Sequence, residues 1–216
     1  SLPTFDSAYR PVDTRTVPNV ITVVRIAVCP LVFALAMAPS AGGRLWAFVL
    51  WLTAAVSDVW DGWLARKYGW ITDVGKLLDP LADKLLLAAT FIPFYLISRR
   101  GPEWHLPWWG PLPLWVVLVI FGRELLITVF RSYAAGRGVV IAAGASGKRK
   151  AVYQSLFIGG LLFWYPLVMI VDERGWSSAA AWRVWAAFHG MWIAATLAAA
   201  LLLTVYSMLD YLWRYR

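Results

Sequence analysis

Asp58, Asp61, Asp79 and Asp83 stand in two pairs, spaced i,i+3 and i,i+4, and each spacing puts both carboxylates on one side of a helix. They are four of the 12 acidic residues in a chain of 216. Small and basic residues recur around them: Asp58-x-x-Asp61-Gly62-x-x-Ala65-Arg66, eight further residues, then Gly75-x-x-x-Asp79-x-x-x-Asp83. Oxygen donors without His or Cys suit Mg²⁺, Mn²⁺ or Ca²⁺ better than zinc, and Mg²⁺ commonly shares its sphere between carboxylates and substrate phosphates. A carboxylate in hydrocarbon costs about 2.5–3.5 kcal/mol on insertion scales. The four therefore need neutralising partners, either bound cations or an ion-pair network with basic residues of neighbouring helices. Gly62, Ala65 and Gly75 share helical faces with the acids, where small side chains let helices approach or leave room for a ligand. Arg66 holds a phosphate or snorkels to the membrane surface.

The elements that must position these acids are membrane helices. With 61% hydrophobic residues, 15% charged and a mean hydropathy of +0.64, the chain is not a water-soluble globule. Six apolar windows of spanning length cover about 18–38, 44–65, 75–97, 111–135, 151–171 and 184–212, separated by Pro, Gly or charge. The expected fold is an all-α polytopic membrane protein: residues 1–17 form a cytoplasmic juxtamembrane segment and residues 18–216 one six-helix domain. Residues 1–17 lack the basic and apolar regions of a signal peptide, so the first apolar run is expected to be retained. The 15 Trp and 9 Tyr suit two interfacial belts. Cys29 stands alone, which excludes an intramolecular disulfide and a multi-cysteine zinc site.

Six spans put both termini on one side, and that side holds 15 of the 20 basic residues against 5 on the other. The positive-inside rule makes it cytoplasmic, with the aspartates at the same edge. The net charge of +8 then favours anionic headgroups or phosphorylated substrates, not nucleic acid.

The aspartate spacing resembles the signature of the CDP-alcohol phosphotransferase family without a departure. The resemblance implies a six-helix enzyme of the cell (inner) membrane whose active site faces the cytoplasm. It also implies Mg²⁺ or Mn²⁺, as two ions, on Asp58, Asp61, Asp79 and Asp83, with Asp83 as the catalytic base. The reaction is transfer of a substituted phosphate from a CDP-linked donor to an alcohol, releasing CMP. Asn19, Thr22, Gly62, Ala65, Arg66, Thr72 and Gly75 would bind CDP-diacylglycerol, and a homodimer is implied.

Further stretches resemble the bacterial phosphatidylglycerophosphate synthase branch of that family: Pro18-Asn19-x-x-Thr22-x-x-Arg25, Gly122-Arg123-Glu124 with Arg131, Gly147-Lys148-Arg149-Lys150-x-x-x-Gln154, and Ser207-Met208-Leu209-x-Tyr211-Leu212. Ala151 departs from the threonine usual there. This implies sn-glycerol 3-phosphate as acceptor. CMP-forming cardiolipin synthases are the alternative branch, though they tend to carry Asp where this chain has Glu124.

The residues themselves support an anionic acceptor. Arg123 is deep enough in its span to need a partner, and Glu124 is the nearest acid. Arg131, Lys148 and Lys150 are then left to clamp a phosphate near the surface. Ordinary explanations stand beside these: positive-inside topology for the 148–150 run, helix capping for Asn19, snorkelling for Arg25. Two other function classes also fit membrane carboxylates, a divalent-cation transporter and a catalytically silent lipid-binding scaffold. The acids cluster at one edge with no matching acids in the far halves of the spans, which argues against an ion path.

Overall fold

The computed structural model describes residues 17–68, 73–137 and 145–214. Of the expected site, Thr72 lies outside the described residues, as does the segment before residue 17, and Asp61, Ala65, Arg66 and Gly75 are described only by their place in a helix.

Six long helices form, α1 Val17–Ala36, α2 Ala41–Tyr68, α3 Asp73–Ile97, α4 Leu114–Gly136, α5 Ala145–Glu173 and α6 Ala180–Arg214. Local chemistry sets their ends. Ser40 caps α2, its Oγ accepting the Gly43 N–H at 3.2 Å. Helix α5 closes on Gly175, whose φ of +67° suits glycine; the Gly175 N–H bonds the Asp172 carbonyl at 3.0 Å and the Trp176 N–H that of Val171 at 2.9 Å. The link from α3 to α4, containing one 3₁₀ turn at Pro102–Trp104, is pinned by fully buried Ser98. Its Oγ accepts the Leu112 N–H at 2.9 Å and donates to the Tyr95 carbonyl at 3.1 Å.

Helix α1 packs on both α2 and α3; α2 packs on α5, α5 on α6, α6 on α4, and α4 returns to α3. The helices thus close a ring. Phe91 and Phe94 of α3 meet Phe157 of α5 with centroids 5.6 and 6.1 Å apart, and all three are fully buried. Aromatic area of this kind dominates core packing. On the outside, Trp213, Leu202 and Val184 are 81%, 72% and 72% exposed, an apolar surface that suits lipid and not water.

Four helices, α1, α3, α5 and α6, contain described stretches long and apolar enough to cross a membrane, which makes this a multi-pass membrane protein. Six spans were expected. The two helices that fall short are those that carry charge into the bundle: α4 holds Arg123, Glu124 and Arg131, and α2 holds Arg44 and the first aspartate pair. Alternation of chain direction brings the C-terminal ends of α2, α4 and α6 to the N-terminal ends of α3 and α5. Asp58, Asp83, Arg123, Glu124, Lys148 and Lys150 therefore gather toward one end of the ring, while Arg44, Asp172, Glu173 and Arg183 lie at the other.

Candidate functional site

Helix α1 reaches both aspartate-bearing helices because it lies against both. Thr22 and Arg25, one turn apart, are 2% and 3% exposed and point between them. The Thr22 hydroxyl donates to Asp79 Oδ1 at 2.8 Å. The Arg25 guanidinium pairs with Asp58 through Nη1, and the same nitrogen lies 3.8 Å from Asp83 Oδ1. The carboxylates of α2 and α3 therefore converge on one cation from α1. Their side chains stay 46% and 66% exposed, against 2% for Arg25.

A second ionic group faces this one from α4, α5 and α6. Glu124 Oε1 accepts from Lys150 Nζ and, at 3.2 Å, from Arg123 Nη1. Arg123 Nη2 donates to Ser207 Oγ at 3.1 Å, and Ser207 in turn donates to the Thr204 carbonyl at 3.0 Å. Arg123 Nε is buried without a hydrogen-bond partner among the described residues, so the network is only partly satisfied.

One cavity of about 1080 Å³ joins the two groups. Asp58, Asp83 and Arg25 line it on one side, and Arg123, Glu124, Arg131, Lys148 and Lys150 on the other. The structure thus brings together two of the four expected metal ligands and all four expected acceptor-binding residues. Asp79 is held by Thr22 and is not among the lining residues; Asn19 and Gly62 are half-buried on α1 and α2 and do not line it either.

One expectation changes and one alternative falls away. Lys150, expected to be free for a phosphate, is 5% exposed and engaged by Glu124, which serves two cations and not Arg123 alone. Arg25, for which snorkelling stood as the ordinary alternative, is instead buried against Asp58. The sequence held the signal for Arg25: a lone arginine in an apolar helix, three residues after Thr22, demands a partner. Gln154, quoted above only for resemblance, is also a lining residue; its Nε2, like Arg131 Nε, is buried without a hydrogen-bond partner among the described residues.

Among the described residues, no group of three His, Cys, Asp or Glu side chains gathers as a cation site. The donor chemistry nevertheless fits a hard divalent ion: Asp58 and Asp83 converge within reach of one cationic nitrogen, and their side chains stay 46% and 66% exposed.

Residues 15–193 match the family model for CDP-alcohol phosphatidyltransferase. The chain is 36% identical over 157 residues to the CDP-diacylglycerol–glycerol-3-phosphate 3-phosphatidyltransferase of Bacillus subtilis, covering 67% of this chain and 75% of that one. It is 36% identical over 200 residues to a probable phosphatidylglycerophosphate synthase of Mycobacterium tuberculosis, covering 91% and 79%. It is 31% identical over 175 residues to a CMP-forming cardiolipin synthase of Streptomyces coelicolor, covering 79% and 73%.

Proposed function

This chain belongs to the CDP-alcohol phosphatidyltransferase family, and from that premise we propose that it transfers the phosphatidyl group of CDP-diacylglycerol to sn-glycerol 3-phosphate, giving phosphatidylglycerophosphate and CMP. The observation that carries this reading is the single cavity with carboxylates on one wall and cationic side chains on the other. A diphosphate donor needs its charge neutralised at the first wall, and a phosphorylated alcohol needs a cationic seat at the second.

In the proposed reaction Arg131 and Lys148 hold the acceptor phosphate, with Arg123 and Lys150 fixed beside them by Glu124. Asp83 accepts the proton of the acceptor hydroxyl as its oxygen attacks the lipid-side phosphorus. A P–O bond to glycerol forms, the P–O bond to CMP breaks, and CMP departs with the electron pair. Mg²⁺ or Mn²⁺, as two ions on Asp58, Asp61, Asp79 and Asp83, would supply charge neutralisation to the donor diphosphate. Asn19, Thr22, Gly62, Ala65, Arg66, Thr72 and Gly75 make up the CDP-diacylglycerol side of the site. The diacylglycerol tails stay in the cell membrane while the cytidine end meets the cytoplasm, which is why the chemistry sits at the bundle's charged end. A homodimer of six-span subunits completes the reading.

The second reading is a CMP-forming cardiolipin synthase, favoured by the similarity to the Streptomyces coelicolor protein of that name. One experiment separates them. Purified protein with CDP-diacylglycerol and Mg²⁺ is offered glycerol 3-phosphate, phosphatidylglycerol, inositol phosphate or serine, and CMP release is measured. Release with glycerol 3-phosphate alone is expected; release only with phosphatidylglycerol establishes the second reading, and release with none of them rejects both.

A further inference from the structure

Gln154 of α5 lines the cavity while being only 5% exposed, and among the described residues it belongs to neither ionic group. Its amide nitrogen Nε2 is buried with no hydrogen-bond partner among them. Native interiors leave few polar groups in that state, because a buried amide without a partner costs stability that an apolar side chain of the same length would not. The cavity is where the missing partner can enter. The last side-chain torsion of glutamine has a broad profile, and rotation about it changes which carboxamide atom faces the cavity.

The surroundings of the amide define that partner. Lys150, one turn earlier on the same helix, is engaged by Glu124, and Ser207 is committed to Arg123 and to the Thr204 carbonyl. In the proposed reaction a phosphate has Arg131 and Lys148; a neutral carboxamide, which both donates and accepts, matches a neutral hydroxyl, which does the same. Depth agrees with this. Helices α3 and α5 both begin at the charged end, and Asp83 stands ten residues into α3, Gln154 nine into α5 and Lys148 three. At 1.5 Å per residue, Gln154 lies about as deep as the proposed base and about 9 Å deeper than Lys148. An acceptor with its phosphate on Lys148 therefore brings its hydroxyl-bearing carbons to the level of Asp83 and Gln154. Glycerol 3-phosphate has two hydroxyls, of which one attacks and the other takes no part in the bond changes. We infer that Gln154 hydrogen-bonds this second hydroxyl and makes the site select glycerol 3-phosphate over phosphorylated alcohols that lack it.

The inference rests on the proposed reaction for the identity of the acceptor. Its test compares sn-glycerol 3-phosphate with 3-hydroxypropyl phosphate, which keeps the phosphate and a primary hydroxyl but has no second one, reading kcat/KM for CMP release with CDP-diacylglycerol and Mg²⁺. The wild-type protein is expected to favour glycerol 3-phosphate by about tenfold to a hundredfold, since the analogue leaves a buried amide unpaired. Gln154→Met, which keeps the length of the side chain, should bring that ratio close to one. A wild-type ratio of one, or a ratio unchanged in Gln154→Met, overturns the inference while leaving the reaction intact. Wild-type protein that releases no CMP with either acceptor rejects the reaction itself, and the inference falls with it. Thermal unfolding without substrates gives an independent reading. Gln154→Met removes an unpaired amide and should melt as high as the wild type or higher. A marked drop, or failure of the variant to fold, would show the amide to be satisfied within the protein and would overturn the inference.

Discussion

Arg25 of α1 is buried against Asp58 of α2, with the two side chains 2% and 46% exposed, and the same guanidinium nitrogen faces Asp83 of α3 across 3.8 Å. A helix with no acid of its own thus supplies the positive charge that lets two acidic helices approach. The pair lies between a surface ion pair, worth about 0–1 kcal/mol, and a fully buried one, whose disruption costs about 3–5 kcal/mol.

Arg25→Ala should accordingly destabilise the protein by roughly 1–3 kcal/mol, most of it from leaving Asp58 and Asp83 facing each other without a cation. Thermal unfolding followed by Trp fluorescence in detergent measures this. Added Mg²⁺ should recover more stability in the variant than in the wild type. Equal melting temperatures for the two proteins without divalent ion would show that the pair contributes nothing.

Asp83 has the cavity access that a proton acceptor needs, being 66% exposed at the side chain where Asp58 is 46%. Asp83→Asn should lower kcat by about 10²–10⁴-fold, the usual contribution of general base catalysis. Its chain remains isosteric, so melting temperature should change little. Near-normal turnover in folded protein would remove Asp83 from the reaction.

The helical fold and the existence of a charged end were legible in the sequence because both follow from local patterns: apolar runs of spanning length, and acids at helical spacing. What the sequence could not supply was pairing between helices. Thr22 and Asp79 are 57 residues apart in the chain, Glu124 and Lys150 26, and Arg123 and Ser207 84. No periodicity within one helix specifies such contacts. Sequence adjacency does give the Arg123–Glu124 pair, which the structure has at 3.2 Å, but nothing local points Lys150 to Glu124. Helix ends were more legible, since Ser40 and Gly175 carry their capping chemistry in their own residue type.

Glu124 holds two cations at once, so its loss should act on both. Glu124→Gln leaves Arg123 and Lys150 confronting each other and is expected to raise the KM for glycerol 3-phosphate about tenfold or more, with a smaller change in kcat. Lys150→Met should cause a similar rise by itself. If the two act through one contact, the double variant Glu124→Gln/Lys150→Met should show a coupling energy of about 1 kcal/mol or more. Strict additivity would mean that the contact between Glu124 and Lys150 is energetically silent.

Far from the cavity, Ser98 offers a prediction about stability alone. Its hydroxyl both accepts the Leu112 N–H and donates to the Tyr95 carbonyl, and both Ser98 and Leu112 are fully buried. Ser98→Ala removes the acceptor and strands a backbone donor in an apolar site, at a cost of about 1–3 kcal/mol. Because the link it pins joins α3 to α4 at the end opposite the carboxylates, CMP release below the melting transition should match the wild type. Loss of turnover with an unchanged melting temperature would mean instead that the α3–α4 connection moves during catalysis, and that Ser98 restrains that motion.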